Sequence, residues 1–391
     1  MKTNNRLDII LSENISTCKK RESETFDNLN GTNDHFIVFG SGGLGRKTYM
    51  GAKALGINVQ CFADNNENTW NSKIDGLEIL SPQNALLKYP DAIVILSIWS
   101  DKAGHPLEVV RKQLNDIRVT NVISFIYLFW KYPDTFLPYW RCDLPHKTIE
   151  NFELVTAAGE LWSDEFSRNE YFNQIYWRLY GDFAKMTPPV STQQYFPDDI
   201  FNIKDDEVFV DCGAFDGDTL QSFLSKQSGK EFSHYYAFEP DPANFYKLEG
   251  FVQGLSKEIQ SKITVNQIAI GACEEEIHFQ ADSSIQSFVS ETGNLTVKSY
   301  SIDGLNLPIA PTYLKMDVEG FEPNIIFGAK ETIKKYKPII AISIYHKFDH
   351  LWRLPLAIHA FAADYDFYLR PHFFGGWELV CYAVPKNRVK K

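Results

Sequence analysis

The 391 residues predict an α/β protein, two Rossmann-like parallel-sheet domains joined by a helical connector. Three observations carry that expectation. Apolar runs of strand length recur in both halves without polar alternation, as in strands buried on both faces of a parallel sheet. Two of them lead into a glycine-spaced turn that opens a helical pattern: Gly40-Ser-Gly-Gly-Leu-Gly45 and Gly213-Ala-Phe-Asp-Gly217. Each turn is followed, one helix and one apolar run later, by a strand-end acid, Asp64 in the first half and Glu239 in the second. Composition shifts set the expected boundaries: a polar leader at 1–30, a nucleotide-binding domain at 31–130, an aromatic-rich connector at 131–199 and a second domain at 200–391.

The leader lacks the apolar core and small-residue cleavage site of a signal peptide. A formal charge of −11 argues against a nucleic-acid or anionic-membrane partner, since there is no basic field to displace phosphate counterions. Six cysteines (Cys18, Cys61, Cys142, Cys212, Cys273 and Cys381) form no C-x-x-C pair, which suggests reduced thiols and neither a disulfide framework nor a zinc site. The longest aromatic-aliphatic run, 122–130, is far short of the ~20 residues that span a bilayer. A soluble, cytoplasmic chain is expected, with its oligomeric state left open.

In the first domain, residues 36–39 read as a buried strand, and Gly40, Gly42 and Gly45 give G-x-G-x-x-G at the start of a helix through Thr48, Ala52 and Leu55. A second strand, 58–63, stops at Asp64, about where a ribose-binding acid is expected. Arg46 and Lys47 beside the loop suit it to phosphate. Strands at 92–98 and 119–125, separated by a helix at 107–114, continue the alternation. No acid–base pair accompanies the loop, so a binding module is expected and a nicotinamide-dependent oxidoreductase is disfavoured. The competing structural account is that the glycines serve only helix-to-strand packing. Phe62-Ala-Asp-Asn-Asn66 and Asp75-Gly-Leu-Glu-Ile-Leu-Ser-Pro82 resemble the amino-terminal domain of PglD-type sugar acyltransferases. That resemblance implies a nucleotide-linked sugar as ligand, with a dinucleotide as the alternative.

The connector is rich in Trp, Tyr, Phe and Pro. One helical pattern is expected over 151–182, with Phe152, Val155, Leu161, Phe166, Phe172, Ile175 and Leu179 covering an apolar face. Gln194-Tyr-Phe-Pro197 precedes the second domain.

There, Val208, Phe209 and Val210 lead to Asp211 and the turn at Gly213 and Gly217, and Asp218 with Thr219 caps a helix carrying Leu220, Phe223 and Leu224. Asp211, Asp216 and Asp218 with no Lys or Arg would repel a diphosphate and favour an ammonium group. Glu239, closing the strand from 235, can accept bonds from both ribose hydroxyls. S-adenosylmethionine offers both features. A helix at 242–255, a third strand at 263–270, a hairpin at 276–281 and a polar loop at 282–294 follow. A fourth strand, 312–316, puts Lys315 and Asp317 on one face. A fifth, 339–344, precedes His346, and a hairpin over 366–384 completes the sheet.

Val208-Phe-Val-Asp-Cys-Gly-Ala-Phe-Asp-Gly-Asp-Thr219, Phe238-Glu-Pro-Asp241, Leu314-Lys-Met-Asp-Val-Glu-Gly-Phe-Glu322 and Ile342-Ser-Ile-Tyr-His-Lys347 occur in the order found in FkbM-type methyltransferases, which residues 195–384 resemble. The resemblance implies a class I methyltransferase fold and S-adenosylmethionine as cofactor, held by Asp211, Gly213, Phe215, Gly217, Asp218, Thr219, Glu239, Pro240 and Ala269, with Tyr195 as a wall of the pocket. It also implies that Ser283-Ser-Ile-Gln-Ser287 covers the active site, a stretch that reads equally as a surface loop. Asp317 and Glu319 then stand beside the transferable methyl and orient an acceptor hydroxyl, and His346, titrating near neutral pH, takes its proton. The bland alternatives are a turn-capping Asp317 and a structural His346. A divalent ion would suit Asp317, Glu319 and His346, but no ligand spacing supports one and none is expected. The expected activity is O-methylation of a sugar or glycan precursor. A non-catalytic glycan-assembly factor is the competing class, disfavoured because the glycines and both acids are intact.

Overall fold

The apolar runs at 36–39, 58–63 and 93–96 become neighbouring parallel strands because both of their faces are apolar. Ile37, Phe39, Cys61, Ala63, Val94 and Leu96 pack on one side of the sheet, and Phe36, Val38, Phe62, Ile93 and Ile95 on the other. The computed structural model describes residues 3–30, 34–99, 106–117, 121–227, 231–280, 288–289, 293 and 295–390. It divides into two compact units: Met1–Thr156 with Tyr171–Pro188 and Phe373–Trp377, and Ala157–Glu170 with Pro189–His372 and Glu378–Lys391. Residues 131–199 are therefore shared between both units.

The first unit contains β1 (His35–Phe39), β2 (Asn58–Ala63), β3 (Lys73–Ile74), β4 (Leu77–Leu80), β5 (Ile93–Leu96) and β6 (Val122–Ser124), in the order β3-β4-β2-β1-β5-β6. All adjacent pairs are parallel except the β3–β4 hairpin. Its two-residue turn puts Asp75 at φ 51° and Gly76 at φ 85°, the left-handed pair that Asp-Gly favours. The polar leader folds as part of this unit. Residues Thr3–Leu11 and Ile15–Asn30 are helices. Cys18, Glu22 and Phe26, spaced by four, form one buried stripe, on which Phe26 stacks against Phe36 at 5.8 Å and Glu22 accepts the His146 backbone N–H at 2.6 Å. A stripe this narrow, with a carboxylate in it, leaves too weak a periodicity to detect. The aromatic run 122–130 splits as well, its strand ending at Ser124 and the helix Phe125–Lys131 beginning at once.

The expected single helix over 151–182 is two, Phe152–Gly159 and Glu165–Tyr180. Asp164 starts the second by accepting the Ser167 N–H at 2.7 Å. Phe152 and Phe166, expected on the apolar face, are exposed.

The second unit has β7 (Val208–Cys212), β8 (His234–Phe238), β9 (Ile263–Asn266), β10 (Ala269–Ile270), β11 (Glu275–Gln280), β12 (Phe288–Val289), β13 (Leu295–Tyr300), β14 (Tyr313–Met316), β15 (Ile339–Ser343), β16 (Tyr365–Pro371) and β17 (Leu379–Pro385). Its main sheet runs β16-β17-β15-β14-β7-β8-β9, with β17 antiparallel to both neighbours and the others parallel. Phe209 stacks between Tyr235 (4.8 Å) and Tyr313 (4.5 Å), joining three strands. From β7 the chain builds outward through β8 and β9, then crosses to β14 and β15 on the other side. The switch therefore falls between β7 and β14, where such sheets open a crevice at their carboxyl ends. The third strand is shorter than expected: β9 ends at Asn266, and Ala269 pairs with β13 in a separate sheet of order β10-β13-β11-β12. Among the described residues no helix is long and apolar enough to cross a membrane.

Candidate active site

Four parallel strands of the second unit end in register, Cys212 beside Phe238 and Met316, and Met316 beside Ile342. The residues just past those ends therefore line one edge of the sheet. After β7 the chain turns through Gly213 (φ 84°) and Gly217 (φ 95°). A Cβ on Gly213 would lie 2.1 Å from the Asp317 carbonyl oxygen, so this glycine answers to the close approach of β14. Its N–H, expected to face a ligand, donates with that of Ala214 to the Phe238 carbonyl at 3.0 Å.

Glu239 follows β8 and is buried. Its Oε2 accepts the Phe215 N–H and its Oε1 the Asp241 N–H, both at 2.8 Å, leaving each oxygen further acceptor capacity. Burial pushes its carboxyl up to about 7 despite those two bonds. Pro240 links it to Asp241, whose side chain caps the helix Pro242–Gln253. Thr219 is buried and donates its N–H to the exposed Asp218 at 2.6 Å. Ala269, in the smaller sheet, does not continue β9 beside Glu239; Asn266 does, accepting the Glu239 N–H at 3.1 Å.

The expectation of an acidic loop without a cation is also corrected. Lys315 sits opposite Asp211 in the β14–β7 register, and its Nζ lies 3.0 Å from Asp211 Oδ1 and donates to the Gly213 carbonyl. The Tyr235 hydroxyl donates to Asp211 Oδ2 at 2.6 Å. Burial alone would lower Lys315, but Asp211, then Asp317 and Asp218, hold it above the ordinary lysine value. The signal was a lysine in an otherwise apolar strand.

Past β14, the Tyr195 hydroxyl donates to Asp317 Oδ2 at 2.6 Å, and His346 Nε2 lies 3.3 Å from Asp317 Oδ1 and 3.6 Å from Glu319 Oε2. On the ring's other side Nδ1 bonds Glu322 Oε1 at 2.7 Å, while Glu322 Oε2 is 3.3 Å from His350 Nδ1. Asp317, Glu319 and His346 are thus brought together as expected, but the protonation of His346 is not as expected. Burial disfavours its charge, yet Glu322, with Glu319 and Asp317, pushes it up to about 10, which favours the imidazolium at neutral pH. Burial pushes Glu319 up to about 8, His346 opposing and Asp317 adding. Among the described residues, Asp317, Glu322 and His346 offer ligand atoms within 4.8 Å of one another, with His346 Nδ1 bonded to Glu322.

Glu378, missed in the sequence, accepts the Tyr345 hydroxyl at 2.9 Å and the Gln194 side chain at 2.7 Å. Burial, then Asp317, raises its carboxyl. Tyr195 (φ 65°), Phe215 (φ 48°), Glu319 (φ 53°) and Glu378 (φ 49°) are all left-handed without being glycine, a concentration of backbone strain typical of functional sites. Ser283–Ser287 lies outside the described residues.

In the first unit, Asp64 accepts the Ser41 N–H (2.7 Å), the Ser41 hydroxyl and the Asn66 N–H (2.8 Å). A Cβ on Gly45 would lie 1.8 Å from the Gly40 carbonyl oxygen, and one on Gly40 (φ 106°) 2.8 Å from that of Ser97, so both glycines are needed for packing. Gly42 has nothing within 4 Å of that position. The exposed Arg46 donates through Nε to the Ser41 carbonyl at 3.1 Å.

The chain is similar in structure to the crystal structure of methyltransferase FkbM from Methylobacillus flagellatus KT, at 19% identity over 95% of this chain and 99% of that one, with a TM-score of 0.75. At that identity the likeness speaks for the fold. No curated protein matches the chain. The family model that matches, the methyltransferase FkbM domain, covers residues 211–369 and does not reach the first domain, whose likeness to PglD-type sugar acyltransferases stays a resemblance. That match takes in Glu239, Asp317 and His346, and it falls wholly within the second unit.

Proposed function

We propose that the chain methylates a hydroxyl group of a sugar or glycan precursor, using S-adenosylmethionine. One observation carries this reading: the carboxyl edge of the sheet brings a buried carboxylate with spare acceptor capacity, Glu239, past β8 and a Tyr195–Asp317–His346 cluster past β14. The residues fit the cofactor, because Glu239 keeps acceptor capacity for vicinal hydroxyls after its two backbone bonds. Phe215, Gly217, Asp218 and Thr219 would line the same turn. When bound, S-adenosylmethionine supplies an activated methyl group. The chain's task is then to position the acceptor oxygen and receive its proton. Asp317 is the group suited to that proton, since the Tyr195 hydroxyl fixes one of its oxygens and the other lies 3.3 Å from His346 Nε2. Glu319, raised to about 8, is protonated near neutral pH and donates a hydrogen bond to the acceptor.

Titration calorimetry with S-adenosylmethionine, a nicotinamide dinucleotide and a nucleotide sugar tests the cofactor. A screen of nucleotide sugars and glycan precursors for methyl transfer then identifies the acceptor. With that acceptor, Asp317→Asn keeps the shape and removes the charge, so turnover drops about 10²-fold while cofactor affinity moves less than about tenfold. Equal losses in both would place Asp317 in the cofactor pocket, and unchanged turnover would make it a turn cap.

For the first unit we infer a nucleotide-linked ligand, a sugar or a dinucleotide, at the Gly40–Gly45 loop. The open space over Gly42 supports this, since neither packing nor backbone conformation demands a glycine there. Gly42→Val in the full chain should leave the melting temperature within a degree or two, about 0.5 kcal/mol. It should weaken nucleotide-sugar binding about tenfold or more by filling the space a phosphate needs. A wild-type chain that binds no nucleotide at this loop leaves packing as its whole purpose.

A further inference from the structure

We propose that Glu322 is a positioning residue: one buried carboxylate fixes both the turn that carries Asp317 and Glu319 and the histidine ring that faces them. The inference rests on the methyltransferase reading for its meaning, and on geometry for its substance. Glu322 opens the helix Glu322–Gly328 and is fully buried, a place acids occupy only when their oxygens are well used. All of its partners belong to the site. Oε1 accepts the Val318 N–H at 3.0 Å, the Gly320 N–H at 3.3 Å and His346 Nδ1–H at 2.7 Å. Oε2 faces His350 Nδ1 at 3.3 Å.

The backbone explains why these donors converge. Glu319 (φ 53°) and Gly320 (φ 101°) are left-handed, which turns the flanking N–H groups inward as an anion nest with Glu322 as its anion. The same turn sends the Asp317 and Glu319 side chains to His346 Nε2. The carboxylate thus grips the backbone between those two acids and the far edge of the ring between them. A residue needed only to fill volume would be served as well by an apolar side chain, without the cost of burying a charge.

Among the described residues, the charged and titratable groups around the ring include Asp317 and Glu319 from the turn after β14, Glu322 and His350 from their helices, and Glu378 from the residue before β17; the Tyr345 ring stands 4.2 Å away. With Glu322 ionised behind Nδ1, both ring nitrogens keep their protons and Nε2 stands beside the acids. Without it, the ring is free to lose a proton, and Asp317 then faces a neutral imidazole in place of an imidazolium.

The test is made on the full-length protein with Glu322→Gln, Glu322→Asp and, for resonance assignment, His346→Gln. Nitrogen-15 spectra of the imidazole are followed against pH, beside S-adenosylmethionine affinity and, with the acceptor from the screen, kcat and KM. In the wild type both His346 nitrogens should remain protonated at pH about 8, well above the ordinary midpoint of about 6.5. In Glu322→Gln the midpoint should fall below about 8 and kcat drop about tenfold or more, with cofactor affinity within about threefold. Glu322→Asp, which keeps the charge, should restore the doubly protonated ring. A wild-type ring titrating near 6.5, or a folded Glu322→Gln with wild-type kcat and pH profile, overturns the proposal. If Glu322→Gln does not fold, the wild-type ring decides alone. Absence of S-adenosylmethionine binding would overturn the methyltransferase reading, while the spectra still decide the role of Glu322.

Discussion

Glu239→Ala is expected to weaken S-adenosylmethionine binding by about 3–6 kcal/mol, read by titration calorimetry. Two charge-assisted bonds to ribose hydroxyls supply that figure, at about 1.5–3 kcal/mol each when desolvated, and Glu239 is buried enough for the desolvated value to apply. The substitution also frees the Phe215 and Asp241 N–H groups, which the carboxylate now holds, so the turn loosens as well. Glu239→Gln separates the two effects: one amide oxygen still accepts, and the charge is gone. The carboxyl sits at about 7. Because this folded value is above that of an unfolded glutamate, ionising Glu239 subtracts stability as pH rises from about 4.5 toward the folded value. Binding runs the other way, since the ionised form is the stronger acceptor, so affinity should fall as pH drops through about 7 and the Gln variant should lose that dependence. Unchanged affinity in Glu239→Ala would remove Glu239 from the cofactor site.

Lys315→Met is expected to destabilise the protein by about 3–5 kcal/mol in urea unfolding, because it strands the Asp211 carboxylate in the core with its partner gone. Adding Asp211→Asn should recover much of the loss, as the uncompensated charge disappears. Lys315 has a raised folded-state pKa. Its contribution is therefore fully present below the unfolded lysine value of about 10.4 and is lost as pH climbs through the higher folded value. An additive double mutant would mean that the two charges do not stabilise each other.

Local pattern was enough to reveal much of the frame. β2 spans residues 58–63 as expected, and β14 and β15 fall within a residue of their expected bounds, because runs of apolar residues cannot be satisfied in water and are long enough for one strand each. The placement of Glu239, Asp317 and His346 was legible for a related reason: a polar residue just past a buried strand stands at the edge of a parallel sheet. The break between Asn266 and Ala269 was not legible, since nothing in that uninterrupted run says that its last two residues pair with β13. Neither were the leader helices, whose buried stripe becomes apparent only against Phe36 and His146.

What the sequence by itself determined is the fold class, the carboxyl ends of β2, β8 and β14, and the residue types that stand there. What only the tertiary structure decided is their charge. The loop after Asp211 offers no cation of its own, and Lys315 from β14 supplies one at 3.0 Å. His346 carries the residue type of a neutral-pH base, yet Glu322, Glu319 and Asp317 keep it protonated to about 10. A backbone's preference for strand or helix comes from its own residue and near neighbours. A proton's affinity is set by every charge and every missing water within a few ångströms, and the chain assembles that neighbourhood only when it folds.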